Sequence, residues 1–513
     1  MLGRKGCEDG MTYRFEFLLP FVLYLIVLVV IGFLAYKKTK TMEGFHLGNR
    51  QLSPWVAGIS ILFSGSSGWI FLGCAGLGYS MGPSAWFMLI SFMITMLIAY
   101  TLIGKRLRNY SGLLGSITYP EFFVRRVRSN RNGIRLIASL AVFVFMTTYV
   151  ASQYVAAVKA LKPIFNMTDL QVVLLTAVVV TLYCLIGGFM AVCWTDFVQG
   201  MVILGGSIIM CVFLVVEAGG FGEVFSKLAA IDPKLLSAKW ATWPLILMFW
   251  TAGLGGVGRP HDTIRFFALK DSHSARGTAM VGEISLLFNY WTGYMIGYIG
   301  RVFFPALKDP ETIFPTLLIE MFNPWFAGIM IAALMALIMS TIDSQLLSAA
   351  STFTEDFYHT YVNKRASEQR LVWVSRVSVV AIGVFGAVMA MYMTETVNNL
   401  VLFATAGLSS TFGPALVLSL YWKRLTEEGI IASMLTGLVV SVYWFLSPLK
   451  AITGLHESAV GFFFAITVAV VVSLLTKPLP SELVESDFEI IRKDYSGEEM
   501  AKIDSLGESY GLN

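Results

Sequence analysis

Four oxygen-bearing side chains lie close together in one apolar segment of the sequence, at Ser340, Thr341, Asp343 and Ser344. Residues three and four positions apart share one helix face, so Ser340, Asp343 and Ser344 form a polar stripe with Thr341 at its edge. Hard cations prefer oxygen ligands, and an ionisable residue inside an apolar span is by default a functional hypothesis. The spacing therefore indicates a cation site, although hydrogen bonding between helices would use the same side chains.

Three acidic residues in apolar segments have a second interpretation. Asp196 opens the segment 195–217, where it is typical of an N-cap carboxylate. Glu283 lies near the start of the segment 277–304, and Asp343 lies near the end of its own segment. Simple solvation at a helix end would explain both.

The sequence contains no residue set typical of an enzyme site. The five cysteines form no CxxC pair, and the five histidines do not recur at metal-ligand spacing. No Ser/His/Asp set or phosphate-binding loop is present. The net charge of +4 is too small to indicate a nucleic-acid partner. We therefore expect no enzymatic activity, no zinc and no nucleic-acid binding.

The composition indicates an all-α polytopic membrane protein. Of the 513 residues, 56% are hydrophobic and 14% are charged, whereas a soluble protein averages about 25% charged residues. A membrane span needs about 20 mostly apolar residues. Thirteen such runs occur, at 16–36, 55–79, 84–104, 134–161, 169–192, 195–217, 241–258, 277–304, 323–352, 371–394, 398–422, 427–446 and 459–476.

Basic residues predict the orientation of these spans, because cytoplasmic loops carry an excess of lysine and arginine. Clusters follow the first run at 37–40, fill the stretch 105–135, and recur at 364–365 and 423–424. They predict an outside N-terminus and a cytoplasmic C-terminus. The polar, acidic stretch 478–513 is expected to be a solvated, partly disordered tail.

Two of the thirteen runs contain glycine clusters that predict broken helices. The second run contains Ser64-Gly65-Ser66-Ser67-Gly68, and the seventh contains glycines at 253, 255, 256 and 258 followed by Pro260. Each glycine inside a helix costs about 1 kcal/mol relative to alanine. Unwound backbone in a membrane is tolerated only where it is buried in protein or lines a cavity.

The two predicted breaks lie five runs apart. If runs two to six form one repeat and runs seven to eleven another, each break falls in the first helix of its repeat, and an odd number of helices inverts the second copy. Glycine-interrupted segments at corresponding positions of inverted halves indicate a transporter binding site. The predicted units are an N-terminal segment 1–54, repeats 55–217 and 218–422, two further helices in 423–477 and the tail 478–513.

Several motifs, in this order, resemble the sodium:solute symporter family, in the branch of the bacterial sodium/proline symporter. They are Ser-Gly-Trp at 67–69, Gly-Gly-Phe-x-Ala-Val-x-Trp-Thr-Asp at 187–196, Gly-x-Pro-His at 258–261 with Arg265-Phe266, Met-Ser-Thr at 339–341, Gln-Leu-Leu at 345–347, Thr-Glu-Asp at 354–356 and Trp-Val-x-Arg-Val at 373–377. The resemblance covers residues 16 to 477. It implies a LeuT-type inverted repeat of five plus five helices, with extra helices at both ends.

The resemblance also implies ligands for sodium, the coupling ion, and for the solute. Its main sodium site corresponds to the carbonyls of Phe63, Ser66 and Leu337 and the hydroxyls of Ser340 and Thr341. A second cation site, present in some members, corresponds to Asp196, Ser340, Asp343 and Ser344. The solute pocket corresponds to positions in the two breaks and the fourth run: Ser64, Gly65, Ser67, Trp69, Tyr149, Trp250, Ala252 and Gly256.

The sequence departs from the proline transporter of that family at three of these positions. Gly65 replaces an aspartate of the first break, and Ala252 and Gly256 replace two aromatic residues of the second. The loss of two rings enlarges the pocket and removes surfaces that would enclose a small pyrrolidine ring, which Trp250 would partly restore. The departures place proline itself in doubt.

The function implied is sodium-coupled import of a small organic solute, by a multi-pass protein of the plasma (inner) membrane. The solute is an amino acid such as proline, or another small polar or carboxylate molecule. A solute sensor and a proton-coupled transporter of the same fold are the alternatives. The expected partners are the solute, sodium ions and the lipid bilayer, and the sequence indicates no obligatory protein partner.

Overall fold

The computed structural model describes residues 42–238 and 242–510, together with isolated positions between 15 and 30. The side chains at 42, 62–64, 183, 186–188, 191 and 508–510 are not described. Within the described residues the secondary structure is helical, apart from one isolated bridge between Leu52 and Leu269. The first predicted run, 16–36, lies largely outside this part, so its span and the side of the N-terminus stay predictions.

Twenty α-helices follow one another along the described chain. The helices up to residue 217 are α1 (Met42–Leu47), α2 (Pro54–Ser66), α3 (Ala75–Met81), α4 (Pro83–Leu113), α5 (Tyr119–Arg126), α6 (Gly133–Phe165) and α7 (Asp169–Glu217). Those from 221 to 421 are α8 (Phe221–Ile231), α9 (Trp243–Leu254), α10 (Pro260–Phe267), α11 (Ala275–Phe303), α12 (Ile313–Met321), α13 (Pro324–Thr352), α14 (Glu368–Tyr392) and α15 (Val397–Tyr421).

The C-terminal helices are α16 (Glu427–Leu446), α17 (Leu449–Thr453), α18 (Glu457–Leu475), α19 (Ser481–Arg492) and α20 (Gly497–Tyr510). Short 3₁₀ turns occupy Gly48–Arg50, Pro233–Leu236, Gly255–Gly258 and Pro310–Thr312. Two segments are π-helical, Ile70–Cys74 and Phe353–Val362.

Local sequence signals explain many of the helix starts. At α2, the Ser53 side chain accepts from the Val56 amide and Pro54 takes the first turn, where its missing N–H costs nothing. At α7, Thr168 and Gln171 form a reciprocal capping box. Both signals are short-range, so the sequence alone places these helix starts.

Eight described helices are long and apolar enough to cross a membrane. They are Pro83–Leu113, Gly133–Phe165, Val192–Glu217, Pro324–Val362, Glu368–Tyr392, Val397–Tyr421, Glu427–Leu446 and Glu457–Leu475. Outward-facing apolar stripes, such as Leu170, Leu174, Val178 and Leu182 at four-residue spacing, are about half exposed and are suited to contact with lipid. By contrast, α13 lies in the interior, with most of its residues buried.

One element differs from the predicted division into spans. The runs 169–192 and 195–217 belong to a single helical segment of 49 residues, α7, with no non-helical linker between them. The stretch between the two runs contains no proline, so the local sequence does not interrupt helical hydrogen bonding. Within this segment, Val192–Glu217 is long and apolar enough to cross a membrane, and Asp169–Leu182 is a shorter apolar stretch.

The prediction of a solvated, partly disordered tail is wrong. Helices α19 and α20 pack instead against the C-terminal end of α4. Arg108 donates two hydrogen bonds to Asp504, at 2.9 and 2.7 Å, and Tyr110 donates to Asp487 at 3.1 Å. The tail helices are amphipathic and bury Val484, Phe488 and Ile491, which a disordered segment would leave in water.

Candidate functional site

The first predicted break is present between α2 and α3. Helix α2 ends at Ser66, and Ser67 has a positive φ of 52°, which L-residues rarely adopt. The Gly68 amide lies outside the helical hydrogen bonding and donates to Gln153 Oε1 of helix α6, at 2.9 Å. Trp69 Nε1 donates to Asn398 Oδ1 of α15 at 2.7 Å. The break is therefore held in place by side chains from two neighbouring helices.

The second predicted break is present between α9 and α10. The backbone tightens into a 3₁₀ turn at Gly255–Gly258 and becomes extended at Arg259. Two tyrosines donate hydrogen bonds to backbone carbonyls of this unwound segment. Tyr119 donates to Val257 O at 2.6 Å, and Tyr100 donates to Gly256 O at 3.3 Å. Buried backbone groups need such partners, so the tyrosines stabilise the unwound segment.

The two breaks meet at Gly65 and Asp262. A β-carbon built on Gly65 would lie 3.2 Å from Asp262 Oδ1 and 3.3 Å from Oδ2. Asp262 is fully buried and forms an ion pair with Arg259, whose Nε lies 2.9 Å from Asp262 Oδ2. The small residue of the first break therefore faces an acidic residue that the second break supplies.

A narrow central cavity lies between the two breaks. Its wall combines aromatic rings with a few polar groups: Gly65, Ser67, Trp69, Phe92, Tyr149, Met248, Phe249, Ala252, Arg259, Tyr290, Val401, Leu402, Thr405, His456 and Ser458. Rings dominate one side, where Trp69 and Phe92 each lie against Tyr290, at centroid distances of 5.7 and 5.9 Å.

The structure brings five of the predicted solute-pocket residues to this cavity: Gly65, Ser67, Trp69, Tyr149 and Ala252. Trp250 does not line it; its side chain is about half exposed, because position 250 is not on the same helix face as Ala252. Gly256 is buried beside Arg259 and Met96 and is not part of the lining. The side chain of Ser64 lies outside the described residues.

The predicted main cation ligands of α13 lie on one helical turn. Ser340 and Thr341 both donate to the Leu337 carbonyl, at 3.0 and 3.1 Å. All three residues are buried, as is Ser66 at the end of α2. A β-carbon on Gly68 would lie 2.6 Å from Ile338 Cγ1, so this turn packs against the first break. The side chain of Phe63 is not described, and its predicted contribution is a backbone carbonyl.

The predicted second cation ligands form a buried network around Arg265. Ser60 donates to Asp196 Oδ2 at 2.6 Å. Arg265 Nη2 donates to Ser344 Oγ at 2.8 Å and to the same Asp196 oxygen at 3.4 Å, and Ser344 donates to Asp343 Oδ1 at 3.2 Å. Two carboxylates and one guanidinium, when ionised, carry a net charge of −1.

The solvated and capping interpretations of the acidic residues are wrong. Asp196 lies inside the continuous helix α7 and accepts from Ser60 and Arg265 rather than from the first amides of a helix. Asp343 is fully buried, and Glu283 is 4% exposed. Neither carboxylate oxygen of Glu283 has a hydrogen-bond partner in the described part of the chain. All three are interior residues.

Sequence reasoning missed three charged residues of these clusters. Arg259 and Asp262 flank Pro260-His261, and Arg265 belongs to the Arg-Phe pair of the same motif, yet the sequence analysis predicts no site role for any of the three. The available signal was an Arg and an Asp at i and i+3 beside the second glycine cluster, since charged residues in apolar segments are usually paired and functional.

A model of the sodium:solute symporter family matches residues 45–437. The osmoregulated proline transporter OpuE of Bacillus subtilis (strain 168) is 33% identical over 468 residues, which cover 90% of this chain and 95% of the relative. The sodium/proline symporter of Staphylococcus aureus (strain USA300) is 33% identical over 485 residues, covering 92% and 94%.

Two solved structures share the fold. A Na⁺-coupled sialic acid symporter in a substrate-bound outward-open state superimposes with a TM-score of 0.78 at 20% identity, covering 91% of this chain and all of that one. Mhp1, a nucleobase-cation-symport-1 family transporter in a closed conformation, gives 0.54 at 14% identity, covering 91% and 98%. The predicted LeuT-type architecture is confirmed at the level of the fold.

Proposed function

The chain belongs to the sodium:solute symporter family, and from this premise we propose that it imports a small organic solute into the cytoplasm by alternating access. As a member of that family it is a multi-pass integral membrane protein that couples transport to sodium. The observation that supports the proposal most is the cavity between two broken helices, with a turn of buried oxygen ligands packed against the first break. The plasma (inner) membrane is its proposed location.

The proposed main sodium ligands are the hydroxyls of Ser340 and Thr341 and the carbonyls of Leu337, Ser66 and Phe63. Both hydroxyls donate to Leu337 O, which gathers three oxygens on one buried helical turn. Oxygen ligands suit a hard ion. Since these ligands come from both α2 and α13, sodium would fix the two helices against each other and complete the solute site.

A second cation is proposed between Asp196 and Asp343, on the side of the network away from Arg265. The network carries one negative charge more than Arg265 balances, and Asp196 Oδ1 is buried without a hydrogen-bond partner among the described residues. Ser344 remains a proposed ligand, and its oxygen also accepts from Arg265. A monovalent cation would complete the charge balance.

The proposed solute is a small molecule that lies between Gly65, Ser67, Trp69, Tyr149 and Ala252. The named relatives transport proline, which makes an amino acid the first class to test. Ala252 contributes only a methyl group to the wall.

The sodium gradient would supply the free energy for uptake. One charge that crosses 100 mV releases about 2.3 kcal/mol, and a tenfold sodium gradient adds about 1.4 kcal/mol. For a neutral solute and tight coupling, one sodium would support an accumulation of a few hundred-fold. A second sodium would roughly square that ratio.

A thermal-stability screen of the purified full-length protein tests this proposal. Amino acids, sugars and carboxylates are compared, each in sodium and in potassium. A ligand that binds only the native state raises the melting temperature. The proposal expects at least one solute that stabilises in sodium and not in potassium; stabilisation that is equal in both salts would contradict sodium-coupled binding.

Proton coupling is the second candidate, and Glu283 is the observation that favours it. A buried carboxylate without a hydrogen-bond partner is far less costly when it carries a proton. Solute uptake driven by an imposed pH gradient without sodium, and lost in Glu283→Gln, would support this alternative. Uptake that requires sodium and is unchanged in Glu283→Gln would exclude it.

A further inference from the structure

The central cavity has one charged side chain in its described wall, Arg259, which is 3% exposed. The rest of the wall consists of apolar groups, hydroxyls and the imidazole of His456. A buried cationic group favours an anion beside it and opposes a second cation. Arg259 is therefore the group of this wall that an anionic part of a solute would approach.

The guanidinium of Arg259 is only partly used by the protein. Its Nε lies 2.9 Å from Asp262 Oδ2. Nε also donates to Gly256 O at 3.4 Å, and Nη2 lies 3.2 Å from Met96 Sδ, a weak acceptor. None of the described groups accepts a hydrogen bond from Nη1. The edge formed by Nη1 and Nη2 has the geometry that a carboxylate matches with two parallel hydrogen bonds.

Asp262 contacts Arg259 and does not line the cavity. It is fully buried, is not part of the cavity wall, and accepts from Tyr100 Oη at 3.3 Å. A β-carbon at position 65 would lie 3.2 Å from its Oδ1, so a side chain there would crowd the carboxylate. Asp262 therefore balances the charge of Arg259 and orients the guanidinium through its Nε edge, which leaves the opposite edge for a ligand.

We infer that the solute of this chain bears a carboxylate, and that the Nη1–Nη2 edge of Arg259 binds it. The inference rests on the proposed symport function and specifies its substrate class. The rings of Trp69, Phe92 and Tyr290 then enclose the apolar body of the solute. Carboxylates with a compact apolar body fit, including amino acids; sugars and organic cations do not.

The test compares matched probes on the purified full-length protein in sodium. The pairs are L-proline with L-prolinamide, isobutyrate with isobutyramide, and phenylacetate with phenylacetamide; glucose and choline represent the excluded classes. Each amide keeps the body of its acid and removes the charge. We expect one or more acids to raise the melting temperature and their amides to have no effect. Equal stabilisation by acid and amide, stabilisation by glucose or choline, or none by any acid would overturn the inference.

Variants separate a binding role from a structural one. Arg259→Gln should weaken binding of the stabilising acid by about tenfold to a hundredfold, since hydrogen bonds to charged groups contribute about 1.5–3 kcal/mol. Asp262→Asn removes the competing carboxylate and should leave this affinity equal or higher. If the pair only supports the fold, both single variants will weaken binding to the same degree, which would overturn the assignment.

The double variant Arg259→Gln/Asp262→Asn controls for folding. It removes both charges of the Arg259–Asp262 pair together and should still lose acid binding, while stabilisation by sodium alone is retained because residues 337–341 are untouched. Retained acid binding in this variant would overturn the inference.

The same data separate this inference from the symport proposal. Acid binding that is lost in Arg259→Gln but is equal in sodium and potassium supports Arg259 and contradicts sodium coupling. Sodium-dependent binding of an uncharged solute, unchanged in Arg259→Gln, supports the symporter and overturns the carboxylate assignment.

Discussion

Replacement of Ser340 by alanine tests the proposed sodium site most specifically. The hydroxyl is fully buried and donates to Leu337 O at 3.0 Å. Ser207 of α7 is a matched control: it is also fully buried and donates to Leu204 O at 3.0 Å, but it lies outside both proposed cation sites. Each variant loses the same kind of intrahelical hydrogen bond.

The two variants should differ in sodium dependence and not in stability. Loss of one such hydrogen bond costs about 0.5–1.5 kcal/mol of unfolding free energy, in both Ser340→Ala and Ser207→Ala. Ser340→Ala additionally loses one oxygen ligand of the cation. If that ligand contributes as much as a hydrogen bond to a charged group, about 1.5–3 kcal/mol, the sodium concentration for half-maximal uptake should rise about tenfold to a hundredfold.

The assay is solute uptake into proteoliposomes over a sodium series, with potassium or choline replacing sodium at constant ionic strength. We expect a shifted sodium curve for Ser340→Ala and a wild-type curve for Ser207→Ala. A wild-type sodium curve for Ser340→Ala would refute the ligand role of Ser340. Equal shifts would show that the effect comes from lost helix stability instead.

Three further predictions follow from other parts of the structure. Asp196→Asn should lower the ratio of charge to solute transported, because the network around Arg265 loses the charge that a second cation balances; a wild-type ratio in proteoliposome current and flux measurements would refute the second site. Asp504→Asn should speed amide hydrogen exchange in residues 497–510, because Arg108 loses the carboxylate to which it donates two hydrogen bonds. Asp494→Asn, which removes one partner of an exposed ion pair, should leave the exchange rates unchanged. Equal exchange rates in the two variants would contradict the docking contact. Burial, followed by repulsion from Lys450, holds the pKa of His456 well below 6.5, so this residue should stay neutral, and solute affinity should not titrate through it, between pH 6 and 8. A transition near pH 6.5 that disappears in His456→Gln would contradict this.

The breaks and the cation stripe could be predicted because both are local properties of the sequence. Clustered glycines weaken a helix wherever they occur, and the breaks fall at Ser67 and at Gly255–Gly258, within the predicted glycine-rich stretches. The stripe at 340–344 depends only on helical spacing. Its burial confirms that the face points inward.

The charged partners could not be predicted, because they come from distant parts of the chain. Asp262 fills space that Gly65 leaves open, and Arg265 reaches Asp196 across nearly 70 residues. Hydropathy and spacing describe one helix at a time and carry no information about which neighbour will face it. The same applies to the tail, whose acidic residues Asp504 and Asp487 pair with Arg108 and Arg128 from a distant part of the chain.

Trp250 shows a further limit of predicting a pocket residue from its position near the pocket residues of a related protein. Trp250 and Ala252 are two residues apart on α9, so they lie on different faces of the helix. Only Ala252 reaches the cavity, and Trp250 is about half exposed on the other side. A large ring near a predicted pocket therefore does not compensate for rings lost at neighbouring positions unless it shares their helix face.

Concentrative uptake into proteoliposomes tests the central claim most directly. The vesicles contain the full-length protein and are given an inward sodium gradient and an inside-negative potential, with the stabilising solute as the labelled substrate. The account predicts accumulation well above the outside concentration, which collapses when the sodium gradient is dissipated. Equilibration without accumulation, or accumulation that is unchanged when potassium replaces sodium, would contradict it.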